Sequence, residues 1–150
     1  MKQINQKVAV GGVIISKNKV LIVQRSSDDK AYPNLWEVPS GKKEPLEKVT
    51  EAVLREVKEE TGLTTEVVKV IDVFNFSVEK TNETRDITQI NFLLKLVSKF
   101  KVKLSTEHQN FAWITKGVID KYNLRKGTKS VLTKAFSSSL LPFDRLRLMK

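Results

Sequence analysis

The chain has 150 residues, a formal net charge of +10 and no cysteine. This length allows one domain with a hydrophobic core, so we expect residues 1–150 to form a single domain. The absence of cysteine excludes disulfide frameworks, thiol chemistry and Cys-based zinc sites. No apolar run reaches the ~20 residues of a membrane span, and the segment after Met1 lacks a signal-peptide apolar region, so we expect a cytoplasmic protein.

The positive charge indicates anionic partners, and nucleotides or polyphosphates are as compatible with it as nucleic acid is. Lysines and arginines are spread along the chain rather than gathered in one run. A nucleic-acid partner is therefore the weaker inference, and a small anionic substrate the stronger one. The sequence leaves homodimerisation open.

The N-terminal part of the chain predicts two strands and a loop. Val8–Ser16 is rich in β-branched residues, and Val20–Val23 is a continuous apolar run of strand length. Residues 17–19 between them favour a turn. Ser26–Asn34 is polar and contains Pro33, which is typical of a loop.

The rest of the chain predicts one central helix, further strands and a helical end. We expect a helix from about Leu46 to Thr61, stopped by Gly62 as a left-handed cap residue. The elements predicted after it are strands at Thr65–Val78, Asp86–Val97 and Phe111–Ile114, helices at Gly117–Tyr122 and Thr128–Phe136, and a loose tail at 137–150. Strands that bracket a helix predict an α/β fold, a mixed sheet with helices on both faces.

The central helix carries carboxylates where apolar side chains are expected. At about 100° per residue, Glu56 and Glu60 fall on the arc occupied by the apolar side chains. The apolar residues on that arc are Leu46, Val49, Val53 and Val57. Burying two unpaired carboxylates costs several kcal/mol, so they need a cation.

No basic residue of this helix supplies that cation in the helical projection, which places Arg55 and Lys58 on roughly the opposite side. A divalent metal with oxygen ligands satisfies the two carboxylates at least cost. A solvated helix with i,i+4 pairs such as Glu51–Arg55 explains part of the charge, but not the carboxylates on the apolar stripe. We interpret the helix as part of a catalytic metal site.

The segment Gly41–Leu63 follows the pattern Gly-x5-Glu-x7-Arg-Glu-(apolar)-x-Glu-Glu-x-Gly-(apolar). This pattern resembles the signature of the Nudix hydrolases at every specified position. The matching residues are Gly41, Glu47, Arg55, Glu56, Val57, Glu59, Glu60, Gly62 and Leu63. The resemblance implies an αβα sandwich that hydrolyses a nucleoside diphosphate linked to another group, with Mg²⁺ or Mn²⁺ bound. Such ions neutralise the phosphates and lower the pKa of the attacking water.

The resemblance also implies roles for individual residues. Glu56, Glu59, Glu60 and the backbone carbonyl of Gly41 correspond to metal ligands, and Arg55 corresponds to the residue that orients the glutamates. Glu47 resembles a structural glutamate that supports the loop and this arginine. The residues expected to be catalytic are Arg55, Glu56, Glu59 and, outside the signature, Glu107.

Three positions depart from the usual family pattern. Ser40 stands where glycine is frequent, Leu46 stands where many relatives have glycine, and Lys48 replaces a helix-capping Ser or Thr. None of these positions carries chemistry. We therefore expect a stiffer or slightly less stable loop and retained catalysis.

Residues outside the signature leave alternatives open. Arg25 corresponds to a substrate-phosphate arginine of MutT-like members, or it is an ordinary surface arginine. Glu107 resembles an additional metal ligand or general base, or it is a solvated loop glutamate. We expect His108, the single histidine, to be structural. Trp36 and Trp113 are expected to be core or pocket-wall aromatics.

Markers of particular substrates are mostly missing. There is no proline about fifteen residues past the signature, as ADP-ribose hydrolases tend to have, and Phe74 and Phe76 stand where dinucleoside polyphosphate hydrolases often have tyrosine. The remaining prediction is a nucleoside triphosphate pyrophosphohydrolase. The alternatives are a nucleotide-sugar, ADP-ribose or dinucleoside polyphosphate hydrolase, and a non-catalytic nucleotide- or RNA-binding module.

Overall fold

The structure, a computed structural model, describes residues 2–97 and 101–138. Its strands are β1 (Gln3–Ser16), β2 (Lys19–Arg25), β3 (Trp36–Glu37), β4 (Ser40–Lys42), β5 (Thr65–Glu79), β6 (Glu83–Leu96) and β7 (His108–Ile114). Its helices are α1 (Val49–Thr61), α2 (Lys126–Ser138) and a 3-10 helix at Lys116–Lys121. No helix within these ranges is long and apolar enough to cross a membrane.

The strands form one mixed sheet. Its main path runs β3-β2-β1-β6-β5, while β4 pairs with β1 and β7 pairs with β2. The long pairing of β1 with β6 is parallel, and the other pairings are antiparallel. The predicted mixed sheet is confirmed.

Alternation along the strands divides the hydrophobic core between two faces of the sheet. Val13 packs in a cluster that contains Leu132 of α2, whereas its neighbour Ile14 packs in a cluster that contains Val53 and Val57 of α1. Successive side chains of a strand point to opposite faces, so one strand serves both clusters. The expected helices on both faces are confirmed.

Helix α1 begins at Val49 and not at Leu46, so the prediction of its start was wrong. Leu46 is fully exposed and has φ = 65°, in the left-handed region that a right-handed helix cannot use. The loop before α1 also contains Pro45. In the same loop, the Glu47 carboxylate accepts a hydrogen bond from the Glu44 backbone N–H at 3.0 Å. These features keep the chain out of a helix until Lys48, whose side chain makes no capping hydrogen bond.

The two strands that the sequence did not predict are the shortest. Strand β3 pairs with β2 and positions Glu37, and β4 pairs with β1 and positions Gly41. The segment predicted as a helix at Gly117–Tyr122 forms the 3-10 helix. Helix α2 continues to Ser138, and residues 139–150 of the predicted tail lie outside the described residues.

Candidate active site

Helix α1 presents the glutamates because its apolar stripe is fixed against the sheet. Val53 and Val57 are fully buried, and Glu60, on the same stripe, is only 5% exposed. The helix ends at Gly62, which has φ = 75° and donates its backbone N–H to the Lys58 carbonyl at 2.8 Å. The predicted left-handed cap is confirmed.

Gly41 lies directly against Glu56. It is held in β4 opposite Val10 of β1, and a Cβ atom at this position would overlap the Glu56 carboxylate. A side chain here would displace the Glu56 carboxylate from its present position, so glycine lets the two groups approach closely without an unusual φ. The backbone of β4 and the carboxylate of α1 share one small space, as a joint coordination site requires.

Arg55 does not point away from the glutamates, as the helical projection had placed it. Its Nε donates to Glu47 Oε2 at 2.7 Å, and one terminal nitrogen donates to Glu56 Oε1 at 3.0 Å and to Glu59 at 3.3 Å. The long side chain reaches back along the helix, so the direction of its Cβ does not decide where its charge lies. The guanidinium hydrogen bond holds the pKa of the Glu47 carboxyl at about 2.

Burial is the largest influence on the pKa values of Glu56 and Glu60, the two glutamates on the apolar stripe. Desolvation raises the pKa of Glu60 to about 9, opposed by a hydrogen bond from the Ser40 backbone N–H at 3.0 Å. Desolvation also raises the pKa of Glu56, and the hydrogen bond from Arg55 opposes this shift. The charge of Glu56 further raises the pKa of Glu60, and the charge of Glu59 further raises the pKa of Glu56, so the cluster favours a bound cation. Glu59, in contrast, is exposed.

Glu107 and His108 approach this pair from the start of β7. A carboxylate oxygen of Glu60, one of Glu107 and a ring nitrogen of His108 all lie within 4.8 Å of one another. Glu107 is exposed, whereas the His108 side chain is 2% exposed. The charge of Glu107 contributes to the raised pKa values of both Glu56 and Glu60.

Arg25 lies beside the same cluster but is engaged by carboxylates. Its guanidinium donates to Asp29 Oδ2 at 2.6 Å and to Glu37 Oε1 at 3.1 Å, and its side chain is 31% exposed. Glu37 Oε2 in turn lies 2.9 Å from Nε2 of His108. The structure thus places Arg25 in an ionic network that joins β2, β3 and β7 and borders the glutamate cluster.

The donor set fits Mg²⁺ or Mn²⁺. The Glu60 carboxylate is buried, and the Gly41 backbone passes close to the Glu56 carboxylate. Oxygen donors of this kind suit hard divalent ions, whose charge would offset the clustered carboxylates. Glu56, Glu60, Glu107 and the Gly41 carbonyl would hold such an ion, with the exposed Glu59 at the rim.

A cavity of about 280 Å³ adjoins the cluster. Glu37 and Ser40, which contact His108 and Glu60 respectively, also line it. Its other lining residues are Leu35, Val38, Phe74, Phe76, Gln89, Asn91, Arg125, Gly127, Thr128 and Val131. The cavity combines two aromatic rings with amide groups, the combination found in pockets for planar polar ligands.

Sequence reasoning missed two residues near the site. Glu37 lies in the segment Trp36-Glu37-Val38-Pro39, and nothing in that pattern indicates that it bridges Arg25 and His108. Asn91 is 4% exposed and donates to Asp72 Oδ1 at 3.0 Å. A polar residue inside the predicted strand Asp86–Val97 was the available signal for it.

Comparison with known proteins places this geometry in a family. The NUDIX domain model matches residues 5–135. The nucleoside triphosphatase NudI of Escherichia coli K12 is 28% identical over 137 residues, which cover 85% of this chain and 94% of that protein.

Solved structures share the fold. The MutT protein of Methanosarcina mazei Go1 superimposes with a TM-score of 0.73 and 27% identity, covering 93% of this chain and 97% of that one. A C. elegans Ap4A hydrolase, solved as a binary complex, gives a TM-score of 0.65 and 28% identity, covering 89% and 97%. The similarity therefore extends through the sheet and both helices of this chain.

Proposed function

This chain belongs to the Nudix family, and we propose that it hydrolyses nucleoside triphosphates to the monophosphate and pyrophosphate, with Mg²⁺ or Mn²⁺ bound at the glutamate cluster. It is a Nudix hydrolase, an enzyme that acts on phosphoanhydride bonds. The observation that carries the proposal is the juxtaposition of Glu56, Glu60 and Gly41 beside a cavity with aromatic and amide lining. The name of the E. coli relative supports the choice of triphosphates.

The cavity is suited to the nucleoside. The rings of Phe74 and Phe76 lie 5.9 Å apart with a tilt of 32°, and each residue is about two-fifths exposed. Such rings offer surfaces on which a base stacks. The Gln89 side chain donates to Asn91 Oδ1 at 3.0 Å, so these amides are held in place to recognise polar edges of the base. Arg125 on the same wall favours the phosphates.

The residues around the substrate phosphates have different roles in the proposed reaction. A bound divalent ion supplies Lewis-acid polarisation of the phosphoanhydride and makes water a stronger nucleophile. Glu56, Glu60 and the Gly41 carbonyl hold it, and Glu59 extends the ligand set. Arg55 fixes the carboxylate of Glu56 and is anchored by Glu47. Arg25, at the edge of the cluster, binds substrate phosphate when the triphosphate competes with Asp29 for its guanidinium.

A substrate panel with matched glutamate variants tests the proposal. Glu56→Gln should lower turnover by several orders of magnitude with an unchanged fold, because it removes charge from the ligand set and little volume. Glu51→Gln, which neutralises an exposed glutamate in the first turn of the same helix, should keep wild-type activity. The assay measures monophosphate and pyrophosphate from nucleoside triphosphates with saturating Mg²⁺, beside ADP-ribose, a nucleotide sugar and Ap4A.

Unchanged turnover in Glu56→Gln would refute the metal-dependent mechanism. Turnover of ADP-ribose, nucleotide sugars or Ap4A far above that of triphosphates would keep the mechanism and replace the substrate.

We also propose that Glu107 removes the proton from the attacking water. It is exposed at the edge of the glutamate cluster, and its charge raises the pKa values of both Glu56 and Glu60. Glu107→Gln should lower turnover by about 10²–10⁴ fold, the usual contribution of a positioned base. The deficit should shrink as pH rises, because hydroxide replaces the missing base.

The pH profile of Glu107→Gln, measured from pH 6 to 10 with saturating Mg²⁺, checks this role. Glu66→Gln serves as the control, since Glu66 is exposed at the start of β5 and pairs only with the exposed Lys95 among the described salt bridges. Wild-type turnover in Glu107→Gln at every pH would remove Glu107 from the mechanism.

A further inference from the structure

His108 has the surroundings of a metal-binding histidine rather than those of a core residue. Its side chain is 2% exposed, and Nε2 lies 2.9 Å from the Glu37 carboxylate. Nδ1 is buried and has no hydrogen-bond partner among the residues that the structure describes. A buried imidazole nitrogen without a hydrogen-bond partner destabilises the folded protein, and a bound ligand would offset that cost.

The contact with Glu37 defines the chemistry of the ring. Histidines that bind metal commonly donate their other ring N–H to a carboxylate, which fixes the tautomer and raises the basicity of the coordinating nitrogen. Here Glu37 engages Nε2, so the neutral tautomer with the proton on Nε2 leaves a lone pair on Nδ1. Arg25 donates to the same carboxylate and holds it in position.

Two oxygen donors lie close to the His108 ring and complete a possible ligand set. A carboxylate oxygen of Glu60 and one of Glu107 lie with a His108 ring nitrogen inside a 4.8 Å span. His108 and Glu107 also line a second cavity of about 450 Å³ with Arg25, Ser26, Asp28 and Asp29, which gives an ion a path to the cluster. The second oxygen of Glu107 remains available to the attacking water.

We propose that His108, with Glu60 and Glu107, coordinates a divalent ion through Nδ1, and that this nitrogen ligand makes the site prefer Mn²⁺ to Mg²⁺. Mn²⁺ is a transition ion that accepts oxygen ligands together with an imidazole nitrogen, whereas Mg²⁺ prefers oxygen ligands alone and retains its water. The inference rests on the proposed metal-dependent hydrolysis and adds to it a ligand outside the Nudix signature. It replaces the purely structural role that the sequence suggested for His108.

Pulsed electron paramagnetic resonance on Mn²⁺ tests the inference without measuring activity. His108 is the only histidine of the chain, so any histidine nitrogen coupled to bound Mn²⁺ in tag-free protein comes from this residue. We expect electron spin echo modulation from a directly coordinated ¹⁴N. Protein grown with ¹⁵N-histidine should replace that modulation with the ¹⁵N pattern, and this isotope change excludes nitrogen from the backbone.

Metal affinities measured in a His108 variant test the same inference independently of the spectrum. His108→Asn should lose the histidine modulation and weaken Mn²⁺ binding by about tenfold or more, while Mg²⁺ binding changes less. Glu66→Gln is the matched control and should leave both affinities unchanged. If His108→Asn does not fold, the spectrum of the wild-type protein decides alone.

The outcomes separate this inference from the function on which it rests. Stoichiometric Mn²⁺ binding with no ¹⁵N-histidine coupling would overturn the role of His108 and leave the hydrolase mechanism intact. No Mn²⁺ binding at millimolar concentration, together with no hydrolysis, would overturn both. Bound Mn²⁺ coupled to the labelled histidine supports the site.

Discussion

At the scale of single residues, Glu60 is the group whose chemistry is changed most by its position. It lies on the buried stripe of α1, and the one described hydrogen bond of its carboxylate comes from the Ser40 backbone N–H. Desolvation raises the pKa of its carboxyl to about 9, so without a cation this residue is protonated at neutral pH. Stability and metal binding are therefore both linked to its proton.

The stability of the metal-free protein should decrease with pH because of Glu60. Above the ordinary pKa of 4.5 the unfolded chain loses the proton, while the folded protein keeps it up to about pH 9. The stabilising contribution is thus complete below pH 4.5 and is lost as pH rises through 9. Unfolding by urea at pH 5 to 9 with EDTA should reveal this as a decrease in the free energy of unfolding of wild type relative to Glu60→Gln.

The same variant provides the control, because glutamine resembles the protonated carboxyl and does not titrate. Added Mg²⁺ should stabilise the wild-type protein most at the alkaline end of the range, where the carboxylate is released for binding. A wild-type curve parallel to that of Glu60→Gln at every pH would contradict the assignment of this proton.

Arg55 illustrates how several carboxylates share one cation at the residue scale. Its guanidinium contacts Glu47, Glu56 and Glu59, and the hydrogen bond with Glu47 raises its own pKa further. A single positive charge cannot neutralise three carboxylates, and it does not contact Glu60 in the described salt bridges. The cluster therefore keeps an excess of negative charge that favours a divalent ion.

At the scale of elements, the loop before α1 carries a local strain that the sequence makes testable. Leu46 adopts φ = 65° although it has a Cβ atom, and its side chain is fully exposed. A left-handed conformation costs a residue of this kind about 1–2 kcal/mol, and glycine avoids that cost. Because the Leu46 side chain is fully exposed, removing it by substitution should cost no packing energy.

Leu46→Gly should therefore raise the free energy of unfolding relative to Leu46→Ala by about 1 kcal/mol. Both variants remove the exposed side chain, so their difference isolates the backbone. The check is chemical denaturation of both variants, with turnover assayed in parallel and expected to remain at the wild-type level. Alanine equal to or better than glycine would show that the loop relaxes the strain in another way.

The elements also mark the limit of sequence reasoning about this protein. The period of α1 was enough to predict that Glu56 and Glu60 share the buried face, because helical geometry relates residues four apart. Strands β3 and β4 span two and three residues, too few to show any periodicity. The start of α1 depended on a backbone angle at Leu46 that composition does not indicate.

The long-range contacts of the site could not be predicted from the sequence either. Glu37 and His108 meet across 71 positions of the chain, because β3 and β7 flank β2 on its two sides. Without the order of the strands, a sequence offers no reason to join these residues. The ligands on the helix were thus predictable, while the histidine network and the cavity depended on the sheet.

At the scale of the whole molecule, the net charge of +10 should act on encounter with substrate rather than on chemistry. We expect kcat/KM for a nucleoside triphosphate to decrease several-fold between low salt and 0.3 M NaCl, with kcat nearly constant, because salt screens attraction over about 10 Å. Steady-state kinetics at constant Mg²⁺ checks this. Betaine, an osmolyte without net charge and of low viscosity, serves at matched osmolality as the control and should leave kcat/KM nearly unchanged.

The same charge should not make the protein a specific RNA binder. Several basic residues of the C-terminal third are engaged within the fold: Lys129 pairs with Asp120, Lys134 pairs with Asp72, and Arg125 lies over the ring of Tyr32. We expect RNA affinity at 0.15 M salt to be no better than about micromolar, the range of non-specific electrostatic binding. Filter binding or fluorescence anisotropy with single- and double-stranded RNA across a salt series measures it. Nanomolar affinity that falls steeply with salt, in a protein that hydrolyses none of the nucleotides, would make this chain a nucleic-acid-binding module instead of an enzyme.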